Sequence, residues 1–377
     1  MADCDQYTRV LFTDVLGLAH GKVVPTDRLD EPFHTAITVL TQGLDLSLVE
    51  VPGFGVDVGY PDLEAVADPT SVRPGWDGAA VAMASLRYPA DQRPIPLDGR
   101  GVLERMIARL GERGLRAEVG FELEFYLLSD PPTVLPLTPL PVPGHRVYGT
   151  GRHADPSGLA FEIARAARDA GIDIEGVNAE FHASQVEIPT RYRDALGAAD
   201  DAFLLRELCR DLAAQRDLGV TFMARPFADL VGNGMRVHVS LVGPDGRNCF
   251  DDPAGEHGLS DLARHCIGGL VEHHEALAAI CAPTVNSYRR LRQGLLSGYW
   301  ANWGLDNRLS TVRVPAARGE GARLEHRMAD PEHADRLDAI LTRFGEVQAR
   351  FDELDGYSLD ARAREILAGL GFSPARI

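Results

Sequence analysis

Two glutamates stand in a segment that otherwise has the composition of a buried strand. The segment GFELEFYLL covers residues 120–128, and Glu122 and Glu124 alternate in it with apolar side chains. Successive side chains of a strand point to opposite faces, so both carboxylates are expected on one face, where they repel each other. We expect divalent metal ions to compensate for this repulsion.

Four further segments carry charged or polar residues in strand-like patterns. They contribute Glu180 and Glu187; Arg236, His238 and Ser240; Arg308 and Arg313; and Arg323, Glu325 and Arg327. Each pattern alone is typical of a solvated strand face or a surface ion-pair ladder. Placed side by side in one sheet, however, they form one surface of carboxylates, arginines and a histidine. Carboxylates and imidazole suit Mg²⁺ or Mn²⁺, and arginines bind phosphate and carboxylate groups, which indicates a site for phosphoryl chemistry.

Composition excludes several classes of protein. The chain has 377 residues and a formal charge of −17, which argues against a nucleic acid as the main partner. Its five cysteines are scattered without a CxxC pair, as expected in a reducing compartment. No leader-like start and no apolar run of about 18 residues is present, so no membrane span is expected and the cytoplasm is the default location.

The order of predicted elements indicates an α+β fold. A hairpin is expected over 9–24 and a short helix over 29–42, and a Pro/Gly-rich break from Pro89 separates a domain of residues 1–95 from one of 96–377. The second domain is expected to form one antiparallel sheet backed by helices. Its predicted strands include 118–128, 235–242 and 322–328, its predicted helices include 194–217 and 259–280, and the chain is expected to be helical from Asp330.

The motifs, in this order, resemble those of the glutamine synthetase superfamily. The matching segments are FTDVLGLAHGKVVP, GFELEFYLL, EFHASQVEIP, GNGMRVHVSL, NSYRRL, WGLDNRLSTVRVP and ARLEHRMADP, collinear from about residue 8 to about residue 335. The resemblance implies a small β-grasp-like N-terminal domain and a catalytic domain with a curved antiparallel sheet. It also implies ATP, two or three Mg²⁺ or Mn²⁺ ions, and a homo-oligomeric ring, a hexamer or dodecamer, with active sites shared between subunits.

The resemblance also implies a role for each matching residue. The implied metal ligands are Glu124, Glu180 and Glu187 near the acid substrate, and Glu122 and Glu325 at the ATP phosphates. The implied acid-substrate residues are Arg290 and Arg327, with Glu124 and Gly232 beside them. The residues implied to bind the nucleotide and the transferred phosphoryl group are Tyr192, His238, Ser240, Arg308, Arg313 and Arg323. Arg308, Arg313, Arg327 and Glu187 are expected to be catalytic.

Several positions depart from the family pattern. Arg236 stands where a metal-binding histidine is usual, and Ser184 replaces a glycine. Leu296 replaces the flap glutamate that deprotonates ammonium, and Ser47 replaces an ammonium-binding aspartate unless a register shift brings Asp45 there. If Arg236 lies between Glu122 and Glu325, we expect it to contact an ATP phosphate or a metal-site glutamate and to reduce the number of bound ions, because arginine has no lone pair to donate. The alternative is that Arg236 turns away and water completes an ordinary metal coordination shell.

Three functions are consistent with these departures. The first is an ATP-dependent ligase that joins glutamate or a related acid to an organic amine rather than ammonia, as in the γ-glutamylpolyamine and γ-glutamylamide synthetase-like branch, in specialised metabolism. The second is a phosphotransferase or ligase that acts on a non-glutamate acid. The third is a non-catalytic regulatory homologue. The retained glutamates and arginines argue against the third function. The sequence does not identify the amine that the first function would use.

Overall fold

The computed structural model describes residues 6–43, 46–292 and 296–328. The described residues all belong to one compact unit. The helix expected from Asp330 and the alternative residue Asp45 lie outside the described residues. Among the described helices, none combines the length and apolar character that a bilayer span requires.

The N-terminal part of the chain folds into a sheet with six described strands. They are β1 (Tyr7–Thr13), β2 (Ala19–Pro25), β3 (Phe33–Ala36), β4 (Asp62–Ala67), β5 (Arg73–Pro74) and β6 (Ala80–Arg87). The strand order is β2-β1-β6-β4-β3, β5 pairs with β6, and β1 runs parallel to β6. Alternate residues such as Val10, Phe12 and Leu63 are buried in its core. The predicted hairpin is β1–β2, where Lys22, the only lysine of the sequence, donates to the His34 carbonyl oxygen at 2.7 Å.

The predicted helix over 29–42 is wrong. This stretch forms β3, which pairs with β4, followed by a 3-10 turn over Ile37–Leu40. Pro32 and the β-branched residues after it disfavour a helix. Ile37 and Leu40 are instead buried in the core of the N-terminal sheet.

The second sheet has nine described strands and holds the polar motifs. They are β7 (Arg116–Leu128), β8 (Asn178–Ala179), β9 (Gln185–Pro189), β10 (Arg193–Asp194), β11 (Gly219–Thr221), β12 (Met235–Val242), β13 (Trp303–Leu305), β14 (Val312–Val314) and β15 (Leu324–Met328). Their order is β13-β14-β15-β12-β7-β9-β8, with β10 and β11 also on β7. The described pairs of this sheet are antiparallel except β13–β14. The α+β fold with a curved sheet backed by helices is therefore confirmed.

The described ranges also contain six α-helices. They are α1 (Gly99–Gly111), α2 (Leu159–Asp169), α3 (Ala195–Ala214), α4 (Asp261–Glu272), α5 (His274–Cys281) and α6 (Val285–Arg290). The single helix predicted over 259–280 is divided at His273, whose backbone leaves the helical region. Leu123 and Phe125 of β7 pack in one core with Leu204 and Leu208 of α3. Because α3 covers this apolar face, Glu122 and Glu124 lie on the opposite face of the sheet.

A largely buried arginine side chain joins the N-terminal sheet to helix α3, which covers the second sheet. Arg100 of α1 binds Asp68, which follows β4, at 2.6 Å, and Asp200 of α3 at 3.0 Å. It also binds Glu104 at 2.9 Å within its own helix. Loss of one partner of such a buried cluster typically costs about 3–5 kcal/mol. The domain boundary near residue 95 stays a prediction.

Candidate active site

The register of the second sheet places the charged residues of neighbouring strands opposite one another. On the two sides of β7, Glu122 faces Arg236 of β12, and Glu124 faces Glu187 of β9. On the other side of β12, His238 lies opposite Glu325 of β15. The strands expected to form one polar surface are therefore adjacent, and their charged side chains meet on the face that α3 leaves uncovered.

Arg236 occupies the centre of the carboxylates. Its Nε lies 2.6 Å from Oε2 of Glu122, and its Nη2 lies 2.8 Å from Oε1 of Glu124. Nη2 also contacts Glu187. Burial lowers the pKa of Arg236, but the charges of Glu124 and Glu122 outweigh burial and raise it overall. The Arg236 guanidinium therefore supplies positive charge that offsets the repulsion between Glu122 and Glu124.

The expected position of Arg236 between Glu122 and Glu325 is only half correct. Glu325 is fully buried and is bound by two other arginines, Arg313 at 2.7 Å and Arg327 at 3.4 Å. Arg313 lies opposite Glu325 in the β14–β15 pair, and its guanidinium reaches the carboxylate directly. Because these arginines satisfy Glu325, Arg236 turns toward Glu124 and Glu187 instead.

Three glutamates have the donor set of a divalent metal site. Carboxylate oxygens of Glu124, Glu180 and Glu187 all lie within 4.8 Å of one another. Burial and the charge of Glu124 raise the pKa of Glu180, as expected of a carboxylate without a cation of its own. Arg236, however, already binds Glu124 and Glu187. The oxygen ligands suit Mg²⁺ or Mn²⁺, but with Arg236 in this position the residues do not fit the full set of two or three ions.

A cleft of about 170 Å³ adjoins the cluster and is lined by Tyr192, His238, Ser240 and Arg323, among other residues. These four residues were expected at the nucleotide, and the structure brings them together. Tyr192 is exposed at the cleft, where its ring is free to stack on a base.

A hydrogen-bonded chain connects this cleft to the carboxylates. Nε of Arg323 donates to Nδ1 of His238 at 3.1 Å, so the proton of the neutral imidazole is on Nε2, which donates to Glu122 at 2.6 Å. Burial raises the pKa of Glu122, but the His238 hydrogen bond and the charge of Arg236 have the larger effect and lower this pKa to about 2. Glu122 is therefore an anion at neutral pH.

Two buried arginines converge on one carbonyl oxygen. Nη2 of Arg290 and Nη1 of Arg327 lie 3.3 Å and 3.1 Å from the carbonyl oxygen of Leu296. Nη1 of Arg290 and Nε of Arg327 are buried without hydrogen-bond partners in the part of the chain that the structure describes. Burial lowers the pKa of Arg290 to about 10, so this group remains a cation at neutral pH.

Glycines allow the backbone to approach Arg290. A Cβ on Gly232 would lie 2.3 Å from the Ala224 carbonyl oxygen and 3.1 Å from the Arg290 side chain. A Cβ on Gly234 would lie 2.7 Å from Nη2 of Arg290. The backbone N–H of Gly234 donates to Glu124 at 2.7 Å. The expected substrate-side residues Gly232, Arg290 and Glu124 are thus neighbours, and any side chain at either glycine would displace them.

The structure does not bring Arg308 to the cluster. Arg308 is exposed on the turn between β13 and β14, near Asp306. Sequence reasoning missed Asp306, which accepts hydrogen bonds from Nε and Nη2 of Arg313 at 3.1 and 2.5 Å. It also missed Asn233, which is fully buried and donates to the carbonyl oxygens of Thr221 and Met223. The sequence pattern that could have identified Asn233 is an asparagine between two glycines directly before a strand.

Comparison with known proteins gives concordant results. Residues 96–337 match the family model described as glutamine synthetase, catalytic domain. Glutamine synthetase from Pyrococcus woesei is 36% identical over 329 residues, which cover 86% of this chain and 71% of the relative. Glutamate–isopropylamine ligase from a Pseudomonas species is 31% identical over 305 residues, which cover 78% and 66%. A solved structure described as a novel glutamine synthase homolog aligns with a TM-score of 0.75 and 26% identity over 86% of this chain and 78% of its own.

Proposed function

This chain belongs to the glutamine synthetase family of ligases, and we propose on that premise that it joins a glutamate-like acid to an organic amine at the expense of ATP. The family depends on ATP and divalent metal ions and uses acid and amine substrates. Beyond family membership, we propose the kind of acid, the kind of amine and the role of each residue.

The proposal rests on the buried pair of arginines, Arg290 and Arg327. Arg290 and Arg327 point N–H groups at a single carbonyl oxygen and keep further N–H groups without partners among the described residues. Unpaired buried donors are costly, whereas a carboxylate has two oxygens that accept such donors in bidentate fashion. We assign this position to a carboxylate of the acid substrate, which would displace the Leu296 carbonyl oxygen.

The surroundings of that position favour an organic amine. An ammonium ion needs carboxylates to bind and deprotonate it, but the side chain of Leu296 is apolar and exposed. Tyr299 and Trp300 follow on the same segment, are also exposed, and stack edge to face with ring centroids 4.8 Å apart. Such a surface buries the hydrocarbon part of an amine better than it holds a small cation. The similarity to glutamate–isopropylamine ligase supports this assignment.

The proposed reaction has two steps. A carboxylate oxygen of the acid attacks the γ-phosphorus of ATP and ADP leaves, which forms an acyl phosphate. The amine nitrogen then attacks the carbonyl carbon, phosphate leaves, and the nitrogen loses a proton. Divalent ions, when bound, neutralise phosphate charge. Arg313 and Arg323 would hold phosphoryl oxygens, and Arg290 and Arg327 would fix the acid in line for transfer.

Ammonium is expected to be a poor substrate compared with organic amines, because Leu296 and Ser47 provide no charge to bind or deprotonate it. The measurement is kcat/KM for ADP release with ATP, Mg²⁺ and glutamate, with ammonium compared against a panel of alkylamines, polyamines and arylamines at one pH. If ammonium proved the best nucleophile of the panel, the amine assignment would be wrong.

A second candidate is a non-catalytic binding protein. One observation favours it: arginines already pair with Glu122, Glu124, Glu187 and Glu325, so the cluster is neutralised without substrates. The same assay discriminates between the two, because a binding protein would release no ADP with any acid or amine. Turnover with a different acid but not glutamate would instead support a ligase or phosphotransferase of non-glutamate specificity.

We also expect a ring-like homo-oligomer, because the family is typically oligomeric. The described loops around residues 46–58 expose Leu46, Val56 and Val58, which a neighbouring subunit would cover. Light scattering on active enzyme is expected to give the mass of a closed ring. Fully active enzyme at the mass of a monomer, 40.9 kDa, would contradict this expectation.

A further inference from the structure

Arg236 is held more tightly than a surface arginine. Its side chain is only 11% exposed and contacts three carboxylates from two strands, Glu122 and Glu124 of β7 and Glu187 of β9. These two strands are neighbours in the sheet, so the guanidinium lies over the centre of the acidic surface. A cation in this position interacts with every carboxylate around it.

We infer that the Arg236 guanidinium is a built-in cation that takes the place of one divalent ion in this carboxylate cluster. This inference goes beyond the proposed function, because it concerns the number of ions that the chain binds and does not depend on the identity of the acid or amine.

The chemistry of the guanidinium supports the replacement of a divalent ion by Arg236. Arginine is a planar cation whose N–H groups bind carboxylates, and it has no lone pair with which to ligate a metal. A Mg²⁺ ion needs carboxylate oxygens at about 2.0–2.1 Å in near-octahedral geometry. An ion between Glu124 and Glu187 would have to displace Nη2 from both carboxylates and would then be repelled by the displaced charge.

Glu180 indicates where an ion can still bind. It accepts a hydrogen bond from the backbone N–H of Phe181, and no arginine is paired with it among the described residues. Glu180 is therefore the member of the cluster that no arginine contacts among the described residues, and one of its oxygens lies within 4.8 Å of carboxylate oxygens of Glu124 and Glu187. The cluster is expected to keep an ion at the Glu180 end and to lose the one at the Arg236 end.

The test is a count of bound Mn²⁺ without nucleotide. Purified wild-type protein and the R236H variant are dialysed to equilibrium against Mn²⁺, and bound metal per chain is measured by elemental analysis. R236H removes the charge and supplies an imidazole ligand, so it is expected to bind one more Mn²⁺ per chain than wild type. The matched control is R236K, which retains a cation and is expected to bind the same number as wild type.

Equal numbers in R236H and wild type would overturn the inference, and so would a gain in R236K equal to that in R236H. If circular dichroism shows that R236H does not fold, wild-type crystals soaked in Mn²⁺ decide the matter. An anomalous peak coordinated by both Glu124 and Glu187 would refute the inference. A peak at Glu180 with Arg236 still paired to Glu124 and Glu187 is the expected result. Neither readout depends on activity, so a failed amine assay leaves this test intact.

Discussion

Glu124→Gln and Glu187→Gln are each expected to lower ATP turnover by at least about 100-fold, because oriented charge in a buried site is usually a large catalytic contribution. Both carboxylates contact Arg236, and Glu124 also accepts the Gly234 N–H. Glutamine retains the size of the side chain and removes only the charge. Arg236 would then lose one of its counter-charges, and the metal-binding end of the cluster would lose a ligand. ADP release at saturating substrate concentrations measures the effect.

Glu162→Gln is the matched control for these variants. Glu162 also forms an ion pair, with Arg216, but it lies in α2 on the other side of the sheet from the carboxylate cluster. Its substitution is expected to leave turnover unchanged within a factor of about two, as is typical of a partly exposed pair. Full activity in folded Glu124→Gln or Glu187→Gln would disprove a role for the acidic cluster in catalysis.

Arg290→Gln is expected to reduce kcat/KM for the acid substrate by about 100-fold or more. Truncating one partner of a buried, hydrogen-bonded charge pair typically costs about 2–5 kcal/mol, and each 1.36 kcal/mol corresponds to about tenfold. Arg290 is buried beside Gly232 and Gly234, where the close backbone leaves little room for another side chain to take its place. Initial rates over a range of acid concentrations measure the change.

The neighbouring residue provides the control for Arg290. Arg289 is on the same helix, α6, but is exposed, so Arg289→Gln is expected to keep the wild-type constants. The loss in Arg290→Gln should be found in KM for the acid, whereas KM for ATP should change little. An Arg290→Gln enzyme with an unchanged KM for the acid would show that this arginine does not bind the carboxylate.

The face on which each charged residue lies could be predicted from the sequence. The period-two alternation around Glu122 and Glu124 and around Arg236 and His238 is a local property of each strand, and it places these residues on one surface. The pairing between strands is not local. Whether Arg236 meets Glu325 or Glu187 depends on the register of β12 against β15 and β7 and of β7 against β9. This register places Arg236 opposite Arg327 and Glu122, and places Glu187 opposite Glu124.

Contacts made by backbone groups were also beyond sequence reasoning. The carbonyl oxygen of Leu296 binds two arginines irrespective of the side chain at that position. Ser184 adopts a φ of 66°, a conformation that favours glycine, so the family pattern at this position reflects backbone geometry that the serine retains. In the region 29–42, Pro32 and the core contacts of Ile37 overrode the pattern from which a helix was predicted.

The choice of arginine for the cations of this surface has a consequence for chemical selectivity. An acyl phosphate reacts with any accessible neutral amine, and a lysine beside it would compete with the substrate as nucleophile. The cations around the acidic cluster are Arg236, Arg290, Arg313, Arg323 and Arg327, and the only lysine of the sequence, Lys22, lies in β2 of the N-terminal sheet. Guanidinium groups remain protonated at neutral pH and do not attack carbonyl carbons. In the proposed reaction, the arginines that hold the acyl phosphate therefore do not react with it. None of these cations is a nucleophile that the acyl phosphate could acylate.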